Sequence, residues 1–428
     1  MVKPTNTNEE ETMNKLLLKN VRLEEAFEHE NERIVATRTA IYDVLIVDGY
    51  VQQIDKNIVV DGDVEIVDAQ KQLLVPSFRE MHIHIDKTYF GGEWQAPRPI
   101  TKGILTRIEE EQTLLPKQLP TAAYRAEEMV KWLISQGHTH IRSHCNVDPQ
   151  IGTKHIEITK QVLETYQDQI TYDIVAFPQH GLLRSNVEGL IREAMAMGAT
   201  LVGGVDPSIV DRNIEKSLQT TMAIAQDYQA GIDIHIHTAN TLGEFEFYKL
   251  IELTKQAKKE GQVTISHAMA LADLEQSRLE NLVQAMAAVQ MDVTTTVPTD
   301  INRSTIPIPY LYNNGVKVSV GHDSLTDHWS PYGTGNTIMK LNVMAERFRF
   351  IDEYSLSRAW KYASGGITPL NDAGERVWPR VGDKANMLLV DGISTAHVVA
   401  RRCPISTVIS QGHIIHQQEV GELKGEYR

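Results

Sequence analysis

The chain has 428 residues, of which 42% are hydrophobic and 23% are charged, a composition typical of a globular protein with a large core. Its formal net charge of −14 argues against nucleic acid and against an anionic membrane as partners. No apolar run approaches the roughly 20 residues of a membrane span. The polar stretch 1–14 has no apolar signal region, so we expect a loose tail and a cytoplasmic location.

The two ends of the chain are predicted to form β-strands. Apolar stretches lie at 16–18 and 42–47, and Asp48-Gly49 separates the second stretch from another at 51–54, which indicates a hairpin. Similar stretches recur near the C-terminus, at 387–390, 405–410 and 414–416. We therefore expect residues 1–75 and 379–428 to form one small, discontinuous β-sandwich module.

Between these ends, residues 76–378 show short runs rich in Val, Ile and Thr that alternate with helical stretches. Eight such runs occur, at 81–85, 140–147, 172–177, 200–205, 232–237, 263–268, 292–297 and 316–321. Buried strands separated by helices predict a parallel sheet, and eight of them fit an α/β fold of the (β/α)8 TIM-barrel type. The active site of such a barrel lies at the carboxyl ends of its strands.

The first of these strands ends in His82-Ile83-His84. Side chains alternate along a strand, so the two imidazoles point the same way and can share one metal ion. The spacing alone is a weak signal, because the sixteen histidines of the chain form two other such pairs, at 138/140 and 235/237. Histidines recur, however, at the ends of four or more predicted strands, which is hard to explain by packing.

We predict a mononuclear metal site formed by His82, His84, His235 and Asp323. Three neutral imidazoles and one carboxylate suit Zn²⁺ first, with Fe²⁺ and Mn²⁺ as alternatives. The ion would lower the pKa of a bound water to near 7 and deliver hydroxide at neutral pH. Asp323 is also a candidate for holding the proton of that water. His267, on the neighbouring strand, is a candidate acid–base catalyst or oxyanion stabiliser.

The motifs resemble those of the amidohydrolase superfamily over nearly the whole chain. The resemblance rests on the His-x-His of strand 1, the strand-5 histidine, Ser266-His267 and His322-Asp323. Val175–Gln179 and Gly321-His322-Asp323 followed by Trp329 resemble the cytosine deaminase branch. The segments 81–87, 201–207 and 233–237 look still more like N-isopropylammelide isopropylamidohydrolases, which act on triazine rings in that branch.

The resemblance implies functions for individual residues. It implies that His82, His84, His235 and Asp323 bind one divalent metal and that His267 faces the bound water or the substrate. It makes Gln179 a substrate contact, because cytosine deaminase uses a glutamine there to hydrogen-bond the ring. Relatives in this branch commonly assemble, so the resemblance also implies a homo-oligomer that acts on a small molecule.

Two departures from the cytosine deaminase pattern argue against cytosine as the substrate. Thr238 stands where that enzyme has a proton-shuttling glutamate, and Ser324 replaces a second aspartate. The triazine enzymes also lack the glutamate, so hydrolysis does not require it, and His267, Asp323 and His237 are left as proton carriers. The fourth strand offers no lysine for a binuclear centre, which favours one metal.

Other polar residues near the predicted strand ends have competing interpretations. His237 is predicted to contact substrate or support a ligand, with plain packing as the alternative, and Trp329 to stack on a flat ring. Asp86 and Lys87 are interpreted as a local ion pair, with contact to the substrate as the alternative. The run Glu109-Glu110-Glu111 is interpreted as a solvated helix face.

The predicted function is hydrolysis of an exocyclic C–N bond on a nitrogen heterocycle such as a pyrimidine, triazine or pterin, by attack of the metal-bound hydroxide. One alternative is hydrolysis of a cyclic or linear amide. An alternative of another class is a catalytically inactive ligand-binding homologue, which the loss of the glutamate at Thr238 motivates.

Overall fold

The structure is a computed structural model that describes residues 14–419. Residues 1–13 of the predicted tail and residues 420–428 of the predicted β module lie outside the described residues. In chain order the strands are β1 (Lys15–Glu30), β2 (Arg33–Val47), β3 (Tyr50–Asp55), β4 (Glu65–Asp68), β5 (Leu73–Pro76), β6 (Phe78–Ile83), β7 (His138–Asn146), β8 (Thr171–Phe177), β9 (Leu201–Val205), β10 (Gly231–His235), β11 (Val263–Ser266), β12 (Asp292–Thr295), β13 (Val318–Val320), β14 (Met387–Val390), β15 (Ile405–Ser410) and β16 (His413–Gln417).

Ten α-helices lie within residues 14–419. They are α1 (Ile104–Ser135), α2 (Lys154–Glu164), α3 (Glu188–Ala196), α4 (Ile214–Asp227), α5 (Asn240–Ala257), α6 (Gln276–Ala288), α7 (Ile308–Asn313), α8 (Thr337–Phe348), α9 (Glu353–Arg358) and α10 (Thr395–Arg401). Among these described helices none combines the length and the apolar character that crossing a membrane requires.

Both ends of the described chain contribute to one sheet, in the order β16-β15-β14-β5-β1-β2-β3, with β4 paired to β1. The antiparallel pairing of β5 with β14 joins the N-terminal strands to the C-terminal ones. The predicted hairpin is present between β2 and β3, where Asp48 and Gly49 both have positive φ, as a tight two-residue turn requires. Leu16, Val44 and Leu389 belong to the separate apolar core of this module.

The second sheet runs β6 to β13 in chain order, and all its neighbouring strands are parallel. Each of the eight predicted runs overlaps one of these strands. Backbone contacts between His82 and Asp323 bring the last strand back to the first, with the Asp323 amide donating to the His82 carbonyl at 2.7 Å. The predicted TIM barrel with a terminal β module is therefore confirmed. The domain boundaries at 75/76 and 378/379 stay a prediction.

Helix α1 is longer than the sequence predicted, because the candidate helix that alternates with the strands here spans only residues 122–136, apart from the acidic run at 109–111. The helix begins eighteen residues earlier, at Ile104, and contains Pro116 and Pro120. Proline lacks the amide that a helix interior needs, so both prolines disfavour a helix here, and the tertiary packing overrides them. The extension carries Glu111, which is fully buried, so the interpretation of its acidic run as a solvated face is wrong for this residue.

Candidate active site

The imidazoles of His82 and His84 converge on Asp323 at the carboxyl end of the barrel. The Nε2 atoms of both histidines lie 3.3 Å from Asp323 Oδ1, and His267 Nε2 lies 3.7 Å from Oδ2. His82 and His84 are buried, whereas the Asp323 side chain is 27% exposed. The carboxylate therefore forms the outer edge of the cluster, on the side from which a ligand can arrive.

His235 completes the cluster from β10. One ligand atom from each of His82, His235, His267 and Asp323 lies within 4.8 Å of the others, and His84 joins them through its contact with Asp323. The His235 ring stacks on Phe177 with 4.2 Å between the ring centroids. The structure thus brings together all four predicted ligands and adds His267 at a distance short enough for a ligand.

The backbone is strained where two of these residues leave their strands. His267 has φ +69° and Asp323 has φ +59°, in the left-handed region that residues other than glycine rarely adopt. Such conformations cost of order 1–3 kcal/mol each and persist where the surroundings enforce them, often at functional sites. The strain therefore agrees with a functional use of both side chains.

A hydrogen-bond chain sets the tautomer of His82. The Ser266 hydroxyl donates to Asp233 Oδ1 at 2.6 Å, so its oxygen accepts from His82 Nδ1, 2.7 Å away. Asp233 is itself paired with Arg142 at 3.0 Å. With its proton on Nδ1, a neutral His82 has a lone pair on Nε2, the atom that faces Asp323.

Glu80 holds the backbone around the same cluster. Its Oε1 accepts hydrogen bonds from the amides of His82 at 2.9 Å and His322 at 3.1 Å, and its Oε2 bonds to the His322 ring. This buried carboxylate therefore ties the ends of the first and last barrel strands together and helps to position His82 and Asp323.

The local electrostatics favour the protonation states that bind metals. Burial and the neighbouring imidazole of His82 hold the pKa of His235 well below its usual value, and burial does the same for His267. Burial alone would raise the pKa of Asp323, but the imidazoles of His82 and His84 keep it well below the usual range. Neutral imidazoles beside an ionised carboxylate are the forms that bind a divalent cation.

The imidazole nitrogens of the cluster are better placed to bind a cation than to hydrogen-bond with one another. In residues 14–419 His82 Nε2, His267 Nε2 and both ring nitrogens of His235 are buried without a hydrogen-bond partner. Unpaired buried polar atoms are costly, and here several acceptors face a common carboxylate. A divalent cation among them would satisfy these atoms together.

Of the predicted substrate contacts, His237 lies directly beside the cluster, and Gln179 and Trp329 lie on the loops after β8 and β13. His237 is 30% exposed on its side chain, donates its Nδ1 hydrogen to Asp206 Oδ2 at 2.9 Å, and lies beside His267 with 4.2 Å between the centroids. Gln179 follows β8 and is almost fully buried. Trp329 donates its indole N–H to Glu111 at 2.9 Å, which fixes the plane of its ring.

Glu111 is the main residue at this end of the barrel that sequence reasoning missed. Its two oxygens accept from the side chains of five residues: His328 at 2.7 Å, Trp329 at 2.9 Å, Asn146 at 2.9 Å, His180 at 3.0 Å and Lys87 at 3.4 Å. Burial would raise its pKa, but Lys87 and the histidine contacts hold the pKa well below the ordinary value. The carboxylate thus organises several loops that follow barrel strands.

Lys87 is the cationic partner of this carboxylate. It is 1% exposed and donates to Glu111, to Asn146 Oδ1 at 3.2 Å and to Gln179 Oε1 at 3.0 Å. The predicted ion pair with Asp86 is replaced by these contacts, because Asp86 instead accepts from the His155 ring at 2.7 Å. Lys87 therefore connects Glu111 with the predicted substrate contact Gln179.

A surface cavity of about 260 Å³ lies beside this end of the barrel. It is lined by residues 89–95 of the loop after β6 together with Thr326 and Pro331, and by none of the candidate metal ligands. It is therefore distinct from the histidine cluster, which is identified by its chemistry and not by an open pocket.

Comparison with known proteins agrees with this geometry. The profile of the amidohydrolase family matches residues 170–416. The chain belongs to the amidohydrolase family. The chain is therefore a hydrolase that acts on C–N bonds, and proteins of this family generally depend on a metal.

Two relatives align along most of the amidohydrolase chain. The protein YahJ of Escherichia coli K12 is 42% identical over 401 residues, which cover 93% of this chain and 87% of YahJ. N-isopropylammelide isopropyl amidohydrolase of Pseudomonas sp. strain ADP is 27% identical over 395 residues, 90% of this chain and 96% of that enzyme. The predicted membership of the cytosine deaminase-like branch is confirmed.

Solved structures give the same result. N-isopropylammelide isopropylaminohydrolase of Burkholderia multivorans superposes with a TM-score of 0.81 and 26% identity, covering 94% of this chain and 98% of that one. The fold is also that of 5-methylcytosine deaminase of Klebsiella pneumoniae, with a TM-score of 0.76 and 24% identity over 96% of this chain and 99% of that one. These relatives process small molecules, which accords with a small-molecule substrate here.

Proposed function

We propose that this amidohydrolase hydrolyses an exocyclic C–N bond on a nitrogen heterocycle, such as an aminated pyrimidine, triazine or pterin, and releases ammonia or an alkylamine. The observation that carries the proposal is the convergence of unpartnered imidazole nitrogens on the Asp323 carboxylate at the carboxyl end of the barrel. The names of the two aminohydrolase relatives support the heterocyclic substrate class.

The proposed ligands of one divalent ion are His82, His84, His235 and Asp323, with Zn²⁺ as the first candidate and Fe²⁺ or Mn²⁺ as alternatives. When bound, such an ion supplies the Lewis acidity that makes water a nucleophile at neutral pH. His82 is prepared for the task by Ser266, which fixes its tautomer, in the way that outer-shell groups orient metal-binding histidines.

The residues of the chain divide the remaining work. Asp323 lies at the exposed edge of the cluster and is proposed to accept the proton of the attacking water. His267, 3.7 Å from Asp323, is proposed to pass that proton to the departing amine or to stabilise negative charge on the ring. Thr238 bonds to Ser208 at 3.0 Å and has no acidic group to take over this work.

The proposed substrate contacts are Gln179, His237 and Trp329. The indole of Trp329 offers an aromatic face on which a flat heterocycle can stack, because Glu111 holds its N–H and thereby its plane. His237 is held by Asp206 and has the partly exposed ring that contact with a ligand requires. Self-association into a homo-oligomer also stays a prediction, which light scattering of the purified protein would test.

The proposal is tested with purified, metal-replete protein and a panel of aminated pyrimidines, triazines and pterins. We expect release of ammonia or alkylamine from at least one compound, and none from protein stripped of metal by a chelator. If the whole panel is inert while a cyclic or linear amide is hydrolysed, the amide alternative replaces the proposal. If no metal binds and no compound turns over, the protein is a ligand-binding homologue.

His267 needs a separate test, because its position suits both a ligand and a proton carrier. We expect the His267→Asn variant to retain a stoichiometric divalent ion and to lose turnover roughly 100-fold or more, the usual effect of losing an acid–base group. Loss of the ion from this variant, measured by elemental analysis, would instead make His267 a fifth candidate ligand.

A further inference from the structure

The buried network around Glu111 has a consequence for the substrate. Glu111 has both oxygens occupied by donors, and Lys87 is held between this carboxylate and the amide of Gln179. The lysine nitrogen also lies 5.5 Å from the centroid of the Trp329 ring and 6.0 Å from that of Phe177. The rings of Trp329 and Phe177 and three acceptors, on Glu111, Asn146 and Gln179, therefore fix its position.

Lys87 determines which end of the Gln179 amide is free. An ammonium group has three donors and no acceptor, so the atom of Gln179 that faces it at 3.0 Å has to be the carbonyl oxygen Oε1. The amide nitrogen Nε2 then points elsewhere. It has no hydrogen-bond partner among the residues the structure describes, and it is not one of the atoms fully enclosed by protein.

We propose that Lys87, anchored by Glu111, is a positioning residue that locks the Gln179 amide with its N–H donors toward the substrate, so that the pocket selects heterocycles carrying an oxo oxygen over rings that carry an amino group there. This inference rests on the proposed function and narrows its substrate class. An oxo oxygen accepts from Nε2, whereas an amino group in the same place sets donor against donor and leaves both unpaired.

The locked amide differs from an ordinary glutamine in a pocket. A free amide can rotate by 180° and offer either its oxygen or its nitrogen. It therefore binds a ring that carries an amino group as well as one that carries an oxo oxygen. In this protein, a 180° rotation of the Gln179 amide would place its nitrogen against the buried Lys87 cation. Donors would then face donors, and the cation would lose an acceptor. The specificity therefore resides in Lys87 and Glu111 although neither has to touch the ring.

The experiment measures equilibrium binding of two triazines, ammeline and melamine, to metal-replete protein by calorimetry. The two rings differ only in one oxo group that replaces one amino group. We expect the protein to bind ammeline at least about tenfold more tightly, the difference made by one satisfied hydrogen bond. The measurement is made in the His267→Asn background, which we expect to retain the ion and to lose turnover, so that cleavage does not disturb the binding equilibrium.

Two kinds of variant separate positioning from mere stability. Gln179→Glu offers only acceptors beside Lys87, so we expect the preference to reverse in favour of melamine. Lys87→Met frees the amide, so we expect the two affinities to come within about threefold of each other. Because Lys87→Met leaves Glu111 unpaired, the double variant Lys87→Met/Glu111→Gln restores the charge balance and should show the same loss of preference.

Three outcomes oppose the inference and can be told apart. If neither ring binds the metal-replete protein, the inference fails, and the panel of pyrimidines, triazines and pterins decides separately whether the proposed function survives. If both rings bind with equal affinity, the proposed function survives and the inference fails. If the variants fold, keep their metal and retain the preference for ammeline, Lys87 has only a structural role.

Discussion

Two buried polar clusters lie side by side at the carboxyl end of the barrel, and they differ in how their hydrogen bonds are satisfied. Around Asp323, imidazole nitrogens of His82, His235 and His267 lie close together, and they have no hydrogen-bond partner in the described part of the chain. Around Glu111, both carboxylate oxygens are saturated by donors. The first cluster is incomplete without a ligand, and the second is complete in the protein alone.

The difference assigns distinct work to the two clusters. Unsatisfied acceptors beside one carboxylate can hold a cation, and His267 and Asp323 both adopt left-handed backbone conformations that the surroundings have to enforce. A saturated buried carboxylate with a paired lysine is instead a rigid support. Changes in the first cluster should therefore affect metal binding and activity, and changes in the second should affect stability and selectivity.

The largest effect is expected from Asp323→Asn. The amide removes the charge on which the imidazoles converge, so we expect loss of the stoichiometric divalent ion and a drop in turnover of at least roughly 10³-fold. Elemental analysis and amine release measure the two effects. Asp227→Asn, an exposed carboxylate on α4, is the control and should leave both unchanged. Retention of a full metal complement in Asp323→Asn would refute the proposed ligand.

Much of the first cluster could be predicted because it follows from local periodicity. A strand turns its side chains every second residue, so the spacing of His82 and His84 and the eight apolar runs place histidines at known strand ends. Ser266 was visible as a motif, but its contact with His82 depends on two strands far apart in sequence, and the left-handed φ of Asp323 has no signal in the sequence.

The second cluster could not be predicted in the same way, because it depends on tertiary contacts between loops. Glu109 and Glu111 lie two residues apart in one acidic run. Two residues turn a helix by about 200°, so the side chain of Glu109 is exposed and that of Glu111 is buried. One signal was available: Arg107, Glu111 and Leu115 share a face at intervals of four residues, and all three are buried. Pro116 and Pro120 weakened this signal, because proline disfavours a helix interior.

Removing the central carboxylate of the second cluster tests its proposed structural work. Glu111→Ala leaves the Lys87 cation buried and unpaired, so we expect the free energy of unfolding to fall by about 3–5 kcal/mol. Denaturant unfolding measures the change. Glu109→Gln is the matched control, two residues away on the same helix and exposed, and should lie within about 0.5 kcal/mol of the parent protein. A stability loss shared by both variants would contradict the distinction between the two positions.

A smaller effect is expected at Ser266, which contacts the candidate metal ligand His82. Ser266→Ala removes the acceptor that keeps the proton of His82 on Nδ1, so we expect divalent-ion affinity to fall roughly 10- to 100-fold. It also leaves the buried Asp233 without its hydroxyl donor, so we expect the free energy of unfolding to fall by about 1–3 kcal/mol. Competition with a chelator measures the affinity. Ser135→Ala, at the exposed end of α1, should bind the ion as the parent does. An unchanged affinity in Ser266→Ala would mean that Thr294, 3.4 Å from His82 Nδ1, suffices as partner.

Glu24 in the β module is a third buried carboxylate to compare with Asp323 and Glu111. Its contribution to the free energy of unfolding should depend on pH. Thr395 donates to Glu24 Oε1 through its amide at 2.5 Å and its hydroxyl at 2.9 Å. Burial is the larger influence and raises the pKa of Glu24 to about 7, the reverse of Glu111 with its lysine. The folded state therefore holds a proton that the unfolded state releases near pH 4.5.

The sign of this linkage fixes the outcome. The stability that Glu24 contributes is fully present below about pH 4.5 and is lost as the pH rises through about 7. Glu24→Gln keeps an oxygen for Thr395 but cannot ionise. The free energy of unfolding of the variant minus that of the parent should therefore be more favourable to the variant at pH 8 than at pH 5, by on the order of 2 kcal/mol. Denaturant unfolding at both pH values measures the difference. A constant difference would show that Glu24 keeps the same charge when folded and unfolded, and that two donors from Thr395 stabilise a buried carboxylate as well as the lysine does for Glu111.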